Sequence, residues 1–248
     1  MTKNNYNVVL SSGYMAFSRH CAFLKAVDDH ALSIDSLIGT SSGAIVGAMY
    51  CAGHDPEYIL KEIATVKFMD VISIFPFDCK GVFNLLPAKD YLKRYLPQTF
   101  DELPVKFSCG VSGLKMNHLL IDSGDLISAV CASFAIPKIF KPVYVDGISG
   151  GPYIDGGVVD RLGLFNDIKK RALSNRGRIL IHKINKSHKF SSDNNYEEEL
   201  TKYKDIKIIK SDAVNESLFK LKYFNKQYEC SRAKIYNELR AILDEQNS

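Results

Sequence analysis

From residue 6 to residue 53 the chain alternates two patterns of apolar residues. YNVVLSS (6–12) is a β-branched run closing on small residues, which predicts a strand. In AFSRHCAFLKAVDD (16–29), Phe17, Cys21, Leu24 and Val27 recur at helical spacing. The pair then repeats, with SIDSLIG (33–39) as strand and SGAIVGAMYCAG (42–53) as helix, stopped by Gly53 and by His54-Asp55-Pro56. Two βα units in succession imply a parallel sheet covered on both faces.

The pattern becomes mixed and mostly helical over 57–102, interrupted by ISIFPFDCKGVFNLLP (72–87). Phe75, Phe77, Phe83, Leu85 and Leu86 cluster there around two prolines and a glycine, either as core packing under a loop or as a surface that contacts lipid. PVKFSCGVS (104–112) and NHLLIDSG (117–124) predict strands, and LISAVCASFAI (126–136) a short helix ending before Pro137. KPVYVDG (141–147) and GPYIDGG (151–157) read as paired short strands around a turn, and GRILIHKI (177–184) as another buried strand. Beyond about residue 190 the chain is polar and lysine-rich, with charges of both signs that suit a solvated face. Leu218, Leu221, Phe224, Tyr228, Ile235, Leu239 and Ile242 lie close to helical spacing, which predicts one or two C-terminal helices laid on the domain. With no internal repeat and no linker, residues 1–248 are expected to form one α/β domain.

Composition narrows the partners. Of the 248 residues 46% are hydrophobic and 24% charged, as in ordinary globular proteins. A net charge of +4, from 32 basic and 28 acidic residues, is too balanced for a nucleic-acid binder but compatible with weak attraction to anionic membrane. No apolar stretch approaches the roughly 18 residues of a membrane span, so a cytoplasmic protein, peripheral on membranes at most, is expected. Cys21, Cys51, Cys79, Cys109, Cys131 and Cys230 form no C-x-x-C pair, which argues against a zinc or redox site and for reduced, mostly buried thiols.

The candidate chemistry sits between the second strand and the second helix. Gly39-Thr40-Ser41-Ser42-Gly43 fits G-x-S-x-G with Ser41 central, in the strand-turn-helix context that this motif requires. Such a turn lifts the serine hydroxyl above the sheet beside a helix N-terminus, where N–H groups favour developing negative charge. Ser42 is then a backbone neighbour, not the nucleophile. The absent Gly-Lys-Ser/Thr disfavours a phosphate-binding P-loop, and the single glycine of Ser11-Ser12-Gly13-Tyr14 disfavours a dinucleotide fingerprint. A serine nucleophile needs a base. Among the histidines, His182 falls inside a strand pattern, His188 in a polar stretch, and His20, His30, His54 and His118 lack turn chemistry around them. Asp155 in GPYIDGGVVD is the stronger candidate, since Gly156 and Gly157 permit close backbone approach; the alternative is a plain Asp-Gly-Gly turn.

Three segments, in order, resemble the patatin-like phospholipases over roughly residues 7 to 165: LIGTSSGAIVGAMYCAG, ASFAIPKIFKPV with its Ser-x-x-Ile-Pro-x-x-Phe spacing, and VDGISGGPYIDGGVVD. The resemblance implies a three-layer α/β fold with a mostly parallel sheet, Ser41 as nucleophile, Asp155 as base, and no metal or organic cofactor. It further implies phospholipid or lysophospholipid acyl chains as substrate and an oxyanion hole of N–H groups from Ser12, Gly13, Tyr14 and Met15. Two segments depart from the family pattern. Only Gly13 remains of the glycines in that loop and Ala16 replaces its basic residue, while Arg161 and Gly163 stand where an asparagine and a proline are usual. These departures keep two alternatives in view, a catalytically weak or inactive scaffold that binds lipid or protein, and a hydrolase of soluble acyl esters or thioesters. Neither the oligomeric state nor a need for a protein activator is encoded in any motif.

Overall fold

A computed structural model describes residues 5–66, 70–78, 81–170, 173, 176–185, 196–213 and 224–247, by backbone alone at 74–78, 81–82 and 246–247. The N-terminal half runs β1 (Asn5–Leu10), α1 (Phe17–Asp29), β2 (Ser33–Thr40), α2 (Ser42–Cys51), α3 (Pro56–Thr65), β3 (Ser73–Asp78), β4 (Gly81–Asn84), α4 (Leu86–Leu92) and β5 (Lys106–Gly113). There follow β6 (His118–Ile121), α5 (Leu126–Ser133), β7 (Tyr153–Asp155), α6 (Phe165–Lys169), β8 (Ile179–Ile184), α7 (Glu197–Leu200), β9 (Ile206–Ser211) and α8 (Phe224–Asn247).

Among the described residues seven strands form one sheet in the order β6-β5-β2-β1-β8-β9, with β7 also on β5. The five strands from β5 to β9 in that order pair in parallel, while β6 and β7 both run antiparallel to β5. Both faces are covered, so the central strands are apolar on both sides. Val8, Leu10, Leu37, Leu180 and Ile209 point into a core shared with α1, α2, α3, α5 and α8. Their neighbours Val9, Ile38, Ile179, Ile181 and Ile206 point the other way, against Ile168 of α6 and Leu200 of α7. The period of two along each strand thus builds the three-layer α/β fold expected from the sequence. No helix among the described residues is long and apolar enough to cross a membrane.

Pairing along β5 decides where the sheet ends meet. β2 pairs with β5 at residues 106–110 and β6 pairs at 109–112, so these two occupy opposite edges. β7 pairs at 111–113, overlaps β6, and must therefore lie on the same edge as β2. Two strands approach head-on along one edge of β5, with Thr40 opposite Gly110 and Asp155 opposite Val111.

Several expectations are corrected. Residues 141–147 and 151–157 touch through the single bridge Val143–Tyr153, and 153–155 pair instead with β5. The helix predicted to reach residue 136 stops at Ser133, where the chain turns so that the Ala135 carbonyl accepts the Asp155 N–H at 3.0 Å. Within 72–87, expected as a loop, β3 and β4 form an antiparallel pair. Leu85 is buried there as core packing, but Leu86 is exposed, and the side chains of Phe75 and Phe77 lie outside the described residues. Strand β9 was not anticipated at all. Phe224, Tyr228, Ile235 and Leu239 are buried on α8, which packs against α1; Leu218 and Leu221, like His188 and Cys79, lie outside the described residues. Cys21, Cys51, Cys109 and Cys131 are buried free thiols, whereas Cys230 is exposed.

Helix α1 is pinned to the sheet by two buried histidines. Nδ1 of His20 lies 2.9 Å from Nδ1 of His182 on β8, His182 Nε2 lies 2.9 Å from Ser211 Oγ, and the Phe23 ring stacks on His182 at 4.7 Å. Burial pushes His20 down to about 3 and His182 well below the usual histidine value, so both are neutral in the folded chain. The unfolded chain takes up protons at these positions near pH 6.5 and the folded chain does not, so their neutral pairing contributes fully above that pH and loses ground as pH falls. Between pH 7 and pH 5 this amounts to roughly 2 kcal/mol per histidine. In urea unfolding, the change in stability from pH 7 to pH 5 is expected to be less unfavourable in His20→Gln than in wild type by roughly 2 kcal/mol; the same change in both would mean that the pair is not held neutral.

Candidate active site

The tight turn after β2 forces Ser41 into φ +56°, ψ −118°, a left-handed conformation that non-glycine residues rarely adopt. Such strain costs of order 1–3 kcal/mol and persists only where the surroundings over-determine it. Here they do. The Ser41 N–H donates to Ser133 Oγ at 2.9 Å, and the Ser133 hydroxyl donates to the Gly110 carbonyl at 2.6 Å, so α5 and β5 grip the turn together. A Cβ at Gly43 would sit 2.4 Å from the Leu10 carbonyl oxygen, and one at Gly39 would meet the Gly43 carbonyl at 2.5 Å. The apolar helix α2 can therefore start directly against β1.

From the opposite direction β7 delivers Asp155. A Cβ on Gly156 would lie 2.3 Å from the Gly110 carbonyl oxygen, so only glycine lets the second turn close on β5. The two turns bring together the residues singled out from the sequence: Ser41 Oγ donates to Asp155 Oδ2 at 2.6 Å. The Gly157 N–H donates to the other carboxylate oxygen at 2.7 Å. Asp155 is only 7% exposed, and burial raises it to about 6 despite the opposing hydrogen bonds from Ser41 and Gly157 and the charge of Arg161. The carboxylate is ionised at neutral pH yet basic enough to accept a hydroxyl proton.

Gly13, Tyr14 and Met15 line a cavity of about 160 Å³ together with Ser41. The cavity runs on between Ile45 of α2, Leu85, Ala88 of α4, and Phe134 and Phe140. Its aliphatic and aromatic walls suit an apolar guest. The Ser12 N–H, expected among the oxyanion donors, instead donates to the Arg161 carbonyl at 2.7 Å. His182, considered as a base, bonds His20 and Ser211 rather than Ser41. Among the described residues no group of three or more His, Cys, Asp or Glu side chains is arranged to hold a metal ion.

Three side chains escaped sequence reasoning. Ser133 is the serine of the Ser-x-x-Ile-Pro segment, and its position late in a helix pattern that a proline closes was the available signal. Ser42, expected to act through its backbone, also donates its hydroxyl to the Gly13 carbonyl at 2.7 Å. Arg161 stood out only as a departure from a pattern; nothing local indicated that its Nη2 would reach the carbonyls of Ser12 and Ile184, at 2.9 and 2.7 Å.

Known proteins share this framework. The structure of VipD from Legionella pneumophila superposes with a TM-score of 0.55 at 12% identity, covering 95% of this chain and 67% of VipD. Full-length ExoU of Pseudomonas aeruginosa, solved in complex with SpcU, gives 0.53 at 13% identity over 97% of this chain and 53% of that one. In sequence, an uncharacterised NTE family protein of Mycobacterium tuberculosis is 25% identical over 162 residues, covering 62% of this chain and 43% of the relative. Neuropathy target esterase sws of Drosophila persimilis is 22% identical over 175 residues, or 65% of this chain and 12% of the fly protein. The chain thus spans less than half the length of these curated relatives. The family model for patatin-like phospholipases matches residues 8–168, a span that takes in the Ser41 turn, Ser133, the Asp155 turn and Arg161, and the chain therefore belongs to the patatin-like phospholipase family.

Proposed function

We propose that the protein is a serine acyl-ester hydrolase acting on the acyl chains of phospholipid or lysophospholipid through a Ser41–Asp155 dyad. The observation that carries this reading is the 2.6 Å hydrogen bond from a strained serine hydroxyl to a buried carboxylate at the mouth of an apolar cavity. An acyl chain lies in the cavity and presents its ester carbonyl to Ser41. As Oγ attacks the carbonyl carbon, its proton passes to Asp155, and the N–H groups of Gly13 and Tyr14 receive the developing oxyanion. Collapse of the tetrahedral intermediate breaks the ester C–O bond, and the proton on Asp155 moves to the departing alcohol oxygen. Water then attacks the acyl-serine, with Asp155 again taking a proton, and the fatty acid leaves as Ser41 is reprotonated. Family membership and the fold shared with VipD and ExoU support the class of chemistry.

A fluorescent fluorophosphonate should label wild type at Ser41, located by intact mass and peptide mapping. Ser41→Ala should abolish labelling, and Asp155→Asn should slow it by about 10²–10⁴-fold, the usual contribution of a positioned general base. No label on folded wild type would overturn the proposal in favour of a non-catalytic scaffold.

Because the base must be ionised, kcat/KM on a soluble acyl ester should fall as pH drops through about 6, the value to which burial raises Asp155. An acid limb near pH 4 would show that the carboxylate is not desolvated in solution.

Filling the cavity should shorten the preferred chain. Ala88→Phe is expected to lower kcat/KM for a decanoyl ester by about tenfold, equivalent to roughly two methylene contacts, while leaving an acetyl ester within about twofold. Equal losses on both esters would place the acyl chain elsewhere.

A further inference from the structure

The loop after β1 has kept one glycine, and the geometry around it raises the question of what orients its N–H groups. Hydrogen bonds hold the Ser12–Gly13 segment from both sides. Arg161 Nη2 donates to the Ser12 carbonyl at 2.9 Å and to the Ile184 carbonyl at 2.7 Å, and Arg161 Nε approaches Ser12 Oγ at 3.3 Å. The Ser12 N–H returns a hydrogen bond to the Arg161 carbonyl at 2.7 Å. Ser11 Oγ also donates to the Ser12 carbonyl at 3.1 Å. On the far side, the Gly13 carbonyl accepts from Ser42 Oγ at 2.7 Å and from the Ala16 N–H at 3.2 Å.

A trans peptide is planar, so the carbonyl of residue 12 and the N–H of residue 13 point in opposite directions. Fixing the Ser12 oxygen on the guanidinium therefore turns the Gly13 N–H away from Arg161. Gly13 lines the cavity beside Ser41, and among the described residues its N–H makes no hydrogen bond within the protein. An orphan donor at that place is what an oxyanion needs.

We propose that Arg161 is the positioning residue of the acyl-transfer step: by clamping the Ser12 carbonyl to the end of β8 it aims the Gly13 N–H at the ester oxygen held over Ser41. The proposal rests on the hydrolase reading above. The planar fork suits the task, because one guanidinium nitrogen bridges two carbonyls while Nε faces the serine hydroxyl, a geometry that an ammonium cannot reproduce. The clamp also joins the oxyanion loop to the Asp155 turn, since Arg161 lies six residues beyond the carboxylate. Its charge acts there as well. The groups that face Asp155 are the Ser41 hydroxyl, the Gly157 N–H, the Arg161 guanidinium, and the Cys109 thiol on β5, which burial pushes up to about 12 and keeps neutral. Arg161 is thus the cation among them that favours the ionised base.

The test compares wild type, Arg161→Lys and Arg161→Gln by kcat, KM and pH profile on a decanoyl ester, with near-UV circular dichroism to verify folding. Wild type that neither labels with fluorophosphonate nor turns over would overturn the hydrolase reading and this proposal with it. With wild type active, Arg161→Gln should lower kcat by roughly 100-fold with KM within about threefold, as expected for a misaimed donor. It should also move the acid limb of kcat/KM to higher pH, because the favourable charge is lost. Arg161→Lys should keep the limb where wild type has it while kcat still falls at least tenfold, which separates aiming from charge. A folded Arg161→Gln with unchanged kcat, or one in which only KM changes, would overturn the positioning role. If Arg161→Gln fails to fold, wild-type kcat in Arg161→Lys would overturn it equally.

Discussion

The site depends on one steric constraint, the approach of two backbone turns to the same stretch of β5. Thr40 and Asp155 face adjacent residues of that strand, Gly110 and Val111, from strands running in opposite directions. The distance between them is set by how closely the second turn can press on the Gly110 carbonyl, and at Gly156 there is no room for a side chain. The same carbonyl accepts the Ser133 hydroxyl that holds the Ser41 turn. A single carbonyl oxygen of β5 is therefore a shared reference point for the Ser41 and Asp155 turns. Displacing either turn by an ångström would break a 2.6 Å hydrogen bond that no flexible side chain could restore.

Electrostatics follow from that closure. A carboxylate shut away from water would ordinarily be driven neutral, and burial does move Asp155 upward. Two short hydrogen bonds and one nearby cation oppose the shift, leaving the group ionised near neutrality without making it inert. Backbone strain at Ser41 and desolvation at Asp155 both work against stability, and the apolar core on the α1, α2 and α5 side of the sheet offsets them. The helix carrying Ser41 at its head is almost entirely buried, so the strained turn has little freedom to relax.

How much was legible depended on whether a feature was local. The βα units were readable because hydrophobic periodicity is written in consecutive residues, and the Ser41 turn because its glycines bracket it within five positions. Strand β9 was missed since IKIIKS mixes lysine and isoleucine without strict alternation in a lysine-rich region and looks like a solvated segment until β8 pairs with it. The early end of α5 was equally hidden. Its last turn is given up so that Ala135 can accept the Asp155 N–H, twenty residues away along the chain.

What the sequence determined by itself was the architecture and the candidacy of Ser41 and Asp155, because fold class follows from periodicity and because both residues sit in turns of distinctive composition. Tertiary structure alone decided that these two meet, since their encounter depends on β2 and β7 sharing an edge of β5, a pairing of residues more than a hundred positions apart. It also decided which loop donors are free and which are engaged. Ser12 and Gly13 are neighbours in sequence, yet one N–H is taken by Arg161 and the other has no partner among the described residues, because a hydrogen bond is assigned by where the chain folds back and not by what lies next along it.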